Sequence, residues 1–162
     1  MNITYIIFFI VIVKGGKMTT IFFDMDGTIT DFYNVPNWLE DLINSNSRPY
    51  RIAKPKINMQ VLAKRLNLLK TKGYRIGVIS WLSRDGNQNF NIEVSEIKRK
   101  WLKKHLKSVN FDEIHICSYG TNKSNFINNE KDILFDDEKD NRESWGGIAY
   151  DETNILNILK TL

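Results

Sequence analysis

Short apolar runs alternating with amphipathic stretches constrain this chain more than any other feature of it. Residues 20–24 (TIFFD), 74–80 (YRIGVIS), 111–117 (FDEIHIC), 132–136 (DILFD) and 147–150 read as strands, the first of them buried. Between the first two, Asn58 can cap a helix whose Met59, Leu62, Leu66 and Leu69 recur at helical spacing, with Gly73 ending it. A shorter helix is expected over 37–44. A polar loop, 83–89, leads into a helix with Val94, Ile97 and Trp101 on one face. Another short helix starts near Lys123, and Asp151 caps a last one running through Leu159. This order of elements builds parallel sheets from βαβ units. The expected fold is therefore α/β, a three-layer Rossmann-like arrangement around a central parallel sheet of about five strands.

With 162 residues, 42% apolar and 26% charged, the chain suits one globular domain rather than a disordered or multi-span membrane protein. No repeat, low-complexity tract or linker divides it. A single cysteine, Cys117, excludes an internal disulfide and a Cys-based zinc site. It suits a reducing compartment, and we expect a cytoplasmic protein. The net charge of +4 favours an anionic substrate without demanding a nucleic acid. Residues 3–13 (ITYIIFFIVIV) are too few for a membrane span, and their lysines follow the apolar run instead of preceding it as in a signal peptide. The run reads as an added strand, a weak anchor, or upstream sequence outside the working protein, with Met18 the true start. The last is favoured, so 18–162 is taken as the domain and no stable membrane association is expected.

Chemistry concentrates at the ends of the strands. The first leaves the sheet on Asp24-Met25-Asp26-Gly27-Thr28. A calcium loop of the EF-hand kind fails here: its glycine would come two places later, and the twelfth position holds Val35. A plain Asp-Gly turn is the other reading. The second strand, however, ends on Ser80, Lys123 opens the helix after the third, and the fourth ends on Asp136-Asp137. Successive strand ends thus offer a carboxylate pair, a hydroxyl, an ammonium and a second carboxylate pair at the sheet edge where open α/β folds bind ligands.

DMDGT, Ser80, Lys123 and ILFDD, in that order, resemble the haloacid dehalogenase superfamily of phosphohydrolases, over residues 20 to about 141. The resemblance implies a magnesium-dependent phosphomonoesterase. Asp24 would attack phosphorus to form an aspartyl-phosphate, and Asp26 would act as general acid and base. Thr28, Ser80 and Lys123 would hold the phosphoryl group. Magnesium would be bound by Asp24, Asp136 and a backbone carbonyl, that of Met25 or alternatively Asp26, with Asp137 as a further ligand or its support. Aspartate at position 26 fits the phosphatase branch, since the ion-pumping branch carries threonine there and the dehalogenase branch lacks this acid. Segments ISWLSRDGN and YGTNK…ILFDDEKDNRESW are similar to small phosphohydrolases of bacteria and their phages, some of whose relatives are nucleotidases.

Cap insertions largely set substrate choice in this superfamily. Only 29–57 leaves room for one, as a flap with a short helix. Its Phe32, Tyr33, Trp38 and Tyr50, beside Arg48 and Arg51, suit a base and a phosphate as well as they suit packing; Trp81 is a further candidate. The expected partner is a small phosphorylated substrate, a nucleotide ahead of a nucleic-acid 3′ end or a phosphoprotein. A non-catalytic phosphate-binding module ranks last. The lysine-rich stretch 98–107 reads as a solvated outer helix face before it reads as a polyanion track. His105, His115 and Cys117 are assigned no chemistry.

Overall fold

The computed structural model describes residues 17–162; the apolar run at 3–13 lies outside them. Strands β1 (Thr20–Phe23), β2 (Arg75–Trp81), β3 (Glu113–Cys117), β4 (Ile133–Phe135) and β5 (Ile148–Tyr150) form one sheet. Its order is β3-β2-β1-β4-β5, and every pairing is parallel. Helices α1 (Trp38–Ile43), α2 (Arg48–Ile52), α3 (Met59–Thr71), α4 (Gln88–His105), α5 (Lys139–Ser144) and α6 (Ile155–Thr161) complete it, with 3-10 turns at Phe32–Asn34, Lys123–Phe126 and Glu152–Asn154.

Alternation along β1 divides the core. Ile21 and Phe23 face one way, into a cluster with Leu62 and Leu66 of α3, Trp101 of α4 and Leu159 of α6. Phe22 faces the other way, against Ile79, Leu134 and Trp145 beside α5. The sheet is thereby covered on both faces, giving three layers, and each fully buried large side chain contributes ~1.5–3 kcal/mol. Gly77 is required in β2, because a Cβ there would stand 2.4 Å from the Phe22 ring. Asn58 and Asn87 cap α3 and α4 by accepting from Gln60, Val61 and Phe90 backbone N–H groups.

Residues 29–57 leave the body between β1 and α3 and are closed at their base. Asp31 N–H donates to the Lys54 carbonyl at 2.8 Å, and Lys56 N–H to that of Ile29 at 2.9 Å. Phe32, Val35, Tyr50 and Ala53 pack this flap onto Phe90 and Val94 of α4, and Trp101 Nε1 donates to the Ala53 carbonyl at 2.8 Å. The flap holds two helices where the sequence pattern predicts one. At five residues, opening on Arg48-Pro49, α2 is too short to show a period.

Candidate active site

β1 and β4 lie side by side, so their C-terminal ends bring Asp24 and Asp136 together. Asp24 N–H donates to the Phe135 carbonyl at 2.9 Å, which fixes where the strand stops and the turn begins. Lys123, carried in from the turn after β3, lies between the two carboxylates: its Nζ is 2.7 Å from Asp24 Oδ1 and 2.6 Å from Asp136 Oδ2. It is buried, with the Trp81 ring 5.1 Å away. Burial disfavours its charge, but the two carboxylates outweigh that and hold its pKa above the ordinary lysine value.

Asp24, Asp136 and Asp137 can each place an oxygen within 4.8 Å of the others. Burial, then the neighbouring Asp24 charge, pushes Asp136 up, and the same causes push Asp137 up to about 7. Carboxylates gathered so closely, with oxygen as their only donor, fit a hard divalent cation such as magnesium, which relieves their repulsion. The Met25 carbonyl does not fit. It accepts from the Thr28, Ile29 and Thr30 N–H groups and from the Thr30 hydroxyl. That folds it into the turn and leaves the Asp26 carbonyl as the backbone candidate. Gly27 shapes the same turn: its φ is +83°, and a Cβ would meet Asp137 Oδ2 at 2.4 Å.

Asp26 stands beside this cluster. Burial raises its pKa, Lys98 lowers it and Asp24 raises it again, for a net upward shift. Its Oδ2 accepts from Lys98 Nζ at 2.5 Å. The expectation of a solvated basic face over 98–107 holds for Arg99, Lys100, Lys103, Lys104 and Lys107, which are exposed, and is corrected at Lys98 alone. Lys98 is 2% exposed and points inward, because Val94, Lys98 and Trp101 share the helix's buried stripe. That spacing was a usable signal: a lysine on an apolar stripe must find acceptors.

Two expected phosphate contacts are placed elsewhere. The Thr28 hydroxyl is 3.0 Å from Asp137 Oδ1 and also accepts from the Asp137 N–H at 3.0 Å, so it braces Asp137. Ser80 is fully buried and accepts from Lys98 at 2.8 Å. Arg48 pairs with Asp41, and Arg51 with Glu93, and neither arginine lines the cavity over the carboxylates. Cys117, on the edge strand β3, is half-buried and packs against the cluster of Phe22, Ile79, Leu134 and Trp145.

A cavity of about 550 Å³ opens over the carboxylates. Asp24, Asp26, Lys123, Asp136 and Asp137 lie at one end of it. Phe32, Tyr33, Trp38 and Tyr50 line it from the flap, and Trp81 from the end of β2. Ser83, Arg84 and Tyr119, which sequence reasoning did not single out, also line it. Tyr119 packs against Trp81 with ring centroids 4.9 Å apart and planes tilted by 55°, and the Arg84 guanidinium is 5.6 Å from the Tyr119 ring centre.

Sheet order, strand-end carboxylates and a flap after β1 give this chain the haloacid dehalogenase-like fold. No protein-family model matches it, nor does any curated protein. Among solved structures it is similar to the D,D-heptose 1,7-bisphosphate phosphatase of Burkholderia thailandensis. That likeness has a TM-score of 0.51 and 10% identity over 88% of this chain and 97% of that one. It is also similar to a chain of the Pnkp1/Rnl/Hen1 complex, with a TM-score of 0.51 and 16% identity over 83% of this chain. This chain spans only 46% of that one. The likenesses are of fold alone.

Proposed function

We propose that the protein is a magnesium-dependent phosphomonoesterase working through an aspartyl-phosphate on Asp24, with a small nucleotide such as a (deoxy)nucleoside monophosphate as substrate. The observation that carries this reading is the convergence of Asp24, Asp26, Lys123, Asp136 and Asp137 at one end of an aromatic-walled cavity. Asp24, Asp136, Asp137 and the Asp26 carbonyl would hold magnesium, which supplies positive charge against a phosphate dianion.

Lys123 holds Asp24 in place by a charged hydrogen bond and offers its ammonium to the phosphoryl oxygens. The Asp24 carboxylate bonds to phosphorus as the ester oxygen departs. The proton on Asp26 passes to that oxygen, releasing a neutral alcohol. Asp26, now ionised, takes a proton from the water that hydrolyses the aspartyl-phosphate, returning both residues to their starting state. The upward pKa shift of Asp26 favours the protonated acid that the first half needs.

Support for a nucleotide lies in the walls. Trp81 and Tyr119 on the body, and Tyr33 and Trp38 on the flap, line a space within the usual ~300–1,000 Å³ of small-ligand sites. Arg84 supplies the cation that Arg48 and Arg51 cannot. A cytoplasmic setting belongs to the same reading.

The test is phosphate release, with magnesium and with chelator, from nucleoside 5′- and 3′-monophosphates, sugar phosphates, a phosphopeptide and a 3′-phosphorylated oligonucleotide. We expect magnesium-dependent release, fastest from nucleoside monophosphates. Preference for the oligonucleotide or the phosphopeptide would overturn the substrate assignment. No release from any ester by a folded sample would overturn the activity.

A further inference from the structure

Lys98 is a buried charge that the reaction outlined above does not use. Its Nζ has three acceptors: Asp26 Oδ2 at 2.5 Å, Ser80 Oγ at 2.8 Å and the Trp81 carbonyl at 2.7 Å. An ammonium has three N–H donors and no acceptor, so this set is complete. The Tyr50 ring, 5.1 Å from Nζ, lies against the remaining side. Two of the three acceptors are fixed by the end of β2, and the lysine stem is fixed by α4, which packs against both sheet and flap. The third acceptor is the carboxylate of Asp26, on the turn after β1, so the ammonium is held by α4 and β2 beside that carboxylate.

We propose that Lys98 is a positioning residue for Asp26, an inference that rests on the phosphomonoesterase reading. Lys98 can only donate, so Asp26 Oδ2 can only accept from it. A proton carried by Asp26 therefore sits on Oδ1, the oxygen not engaged by Lys98, in a side chain that lines the cavity. When the phosphorus–ester bond breaks and the Asp24–phosphorus bond forms, the proton on Oδ1 moves to the departing oxygen. The products of this step are an alcohol, the aspartyl-phosphate and an ionised Asp26 whose Oδ2 is still held by Lys98. Without Lys98 the carboxyl group is free to turn, and the proton is delivered to the ester oxygen in only a fraction of its orientations. Lys123 cannot take over this task, because its contacts are with Asp24 and Asp136.

The experiment compares two esters of similar size on wild type and Lys98→Met. p-Nitrophenyl phosphate releases a phenolate that needs no proton, whereas benzyl phosphate releases an alkoxide that does. The parameter is kcat/KM, which reports steps up to leaving-group departure and not hydrolysis of the aspartyl-phosphate. General acid catalysis contributes ~10²–10⁴-fold. Lys98→Met should therefore lose ~100-fold or more on benzyl phosphate and less than about 10-fold on p-nitrophenyl phosphate. Added to Asp26→Asn, it should cost nothing further on benzyl phosphate, because the two residues act as one unit. Equal losses on both esters, or full additivity with Asp26→Asn, would overturn the proposal and leave Lys98 a structural residue. If Lys98→Met does not unfold cooperatively, Lys98→Arg carries the same comparison; it keeps the charge but displaces Oδ2, and equal losses on the two esters again overturn the proposal. A folded wild type that hydrolyses neither ester with magnesium would overturn the parent reading and this inference with it.

Discussion

Asp24 and Asp26 are two residues apart, and each is held by a lysine of its own. Asp24 is held by Lys123 at 2.7 Å and belongs to the carboxylate cluster, which suits the nucleophile proposed. Asp26 is only part-buried, and desolvation there raises its pKa despite Lys98, which suits a proton carrier. Removing the proposed nucleophile while keeping its shape separates chemistry from folding. Asp24→Asn should abolish phosphate release while unfolding at a temperature close to that of wild type; turnover near the wild-type rate would contradict its assignment. At this scale the strand-end carboxylates were legible in the sequence, because a strand followed by Asp-x-Asp-Gly-Thr is a local pattern. Lys98 was not, because its partner Asp26 lies 72 positions away and a lysine-rich helix ordinarily faces water. The choice between the Met25 and Asp26 carbonyls needs the path of the turn, which residue identity does not give.

Individual elements are tied at their ends by two aspartates that take no part in the site. Asp132, fully buried before β4, accepts from the N–H groups of Thr20 at 2.8 Å, Asn128 at 2.7 Å and Asn129 at 3.2 Å. It joins the start of β1 to the entry of β4, the two strands that carry the paired carboxylates. Asp132→Ala would leave buried donors unmet and should cost ~3 kcal/mol or more, read as a lower urea midpoint. A midpoint within error of wild type would contradict this.

Asp112 joins α3 to β2 by accepting from Lys70 Nζ at 2.6 Å and the Ile76 N–H at 2.8 Å. Burial pushes its pKa up, but Lys70 and the Ile76 amide outweigh this and hold it below the ordinary value. A depressed folded pKa stabilises above the unfolded value of ~3.9 and is lost as pH falls through the folded one. Asp112→Asn should therefore be ~1 kcal/mol less stable at pH 7, with the gap to wild type closing below pH ~4. A gap independent of pH would contradict the sign. The long periodic helices α3 and α4 and all five strands were legible in sequence. The helices α2 and α5, five and six residues long, were not, since neither completes two turns.

Across the whole molecule, a parallel sheet covered on both faces gathers carboxylates at one edge against their mutual repulsion. Asp137 is pushed up to about 7 and Asp136 is raised as well. Magnesium bound by the folded state alone would relieve this and stabilise the protein by ~2.7 kcal/mol at a hundred times its dissociation constant. For a chain of this size that is a rise in Tm of roughly 5–10 °C. Chelator should reverse it, and Asp137→Asn should weaken the response. A Tm indifferent to magnesium would contradict the cation site. Among the described residues no helix is long and apolar enough to cross a membrane. The α/β class was legible from the order of apolar runs. The aromatic cavity was legible only in part: Trp38 and Trp81 were candidates, but Tyr119 and Arg84 join them through contacts between separate loops.

The most direct measurement of the central claim is to quench the enzyme with acid during turnover of its best ester and map the peptides by mass. The account predicts one phosphoryl group on Asp24, absent when magnesium is withheld and absent in Asp24→Asn. A phosphoryl group on another residue would contradict it, as would active turnover by Asp24→Asn with no adduct in wild type.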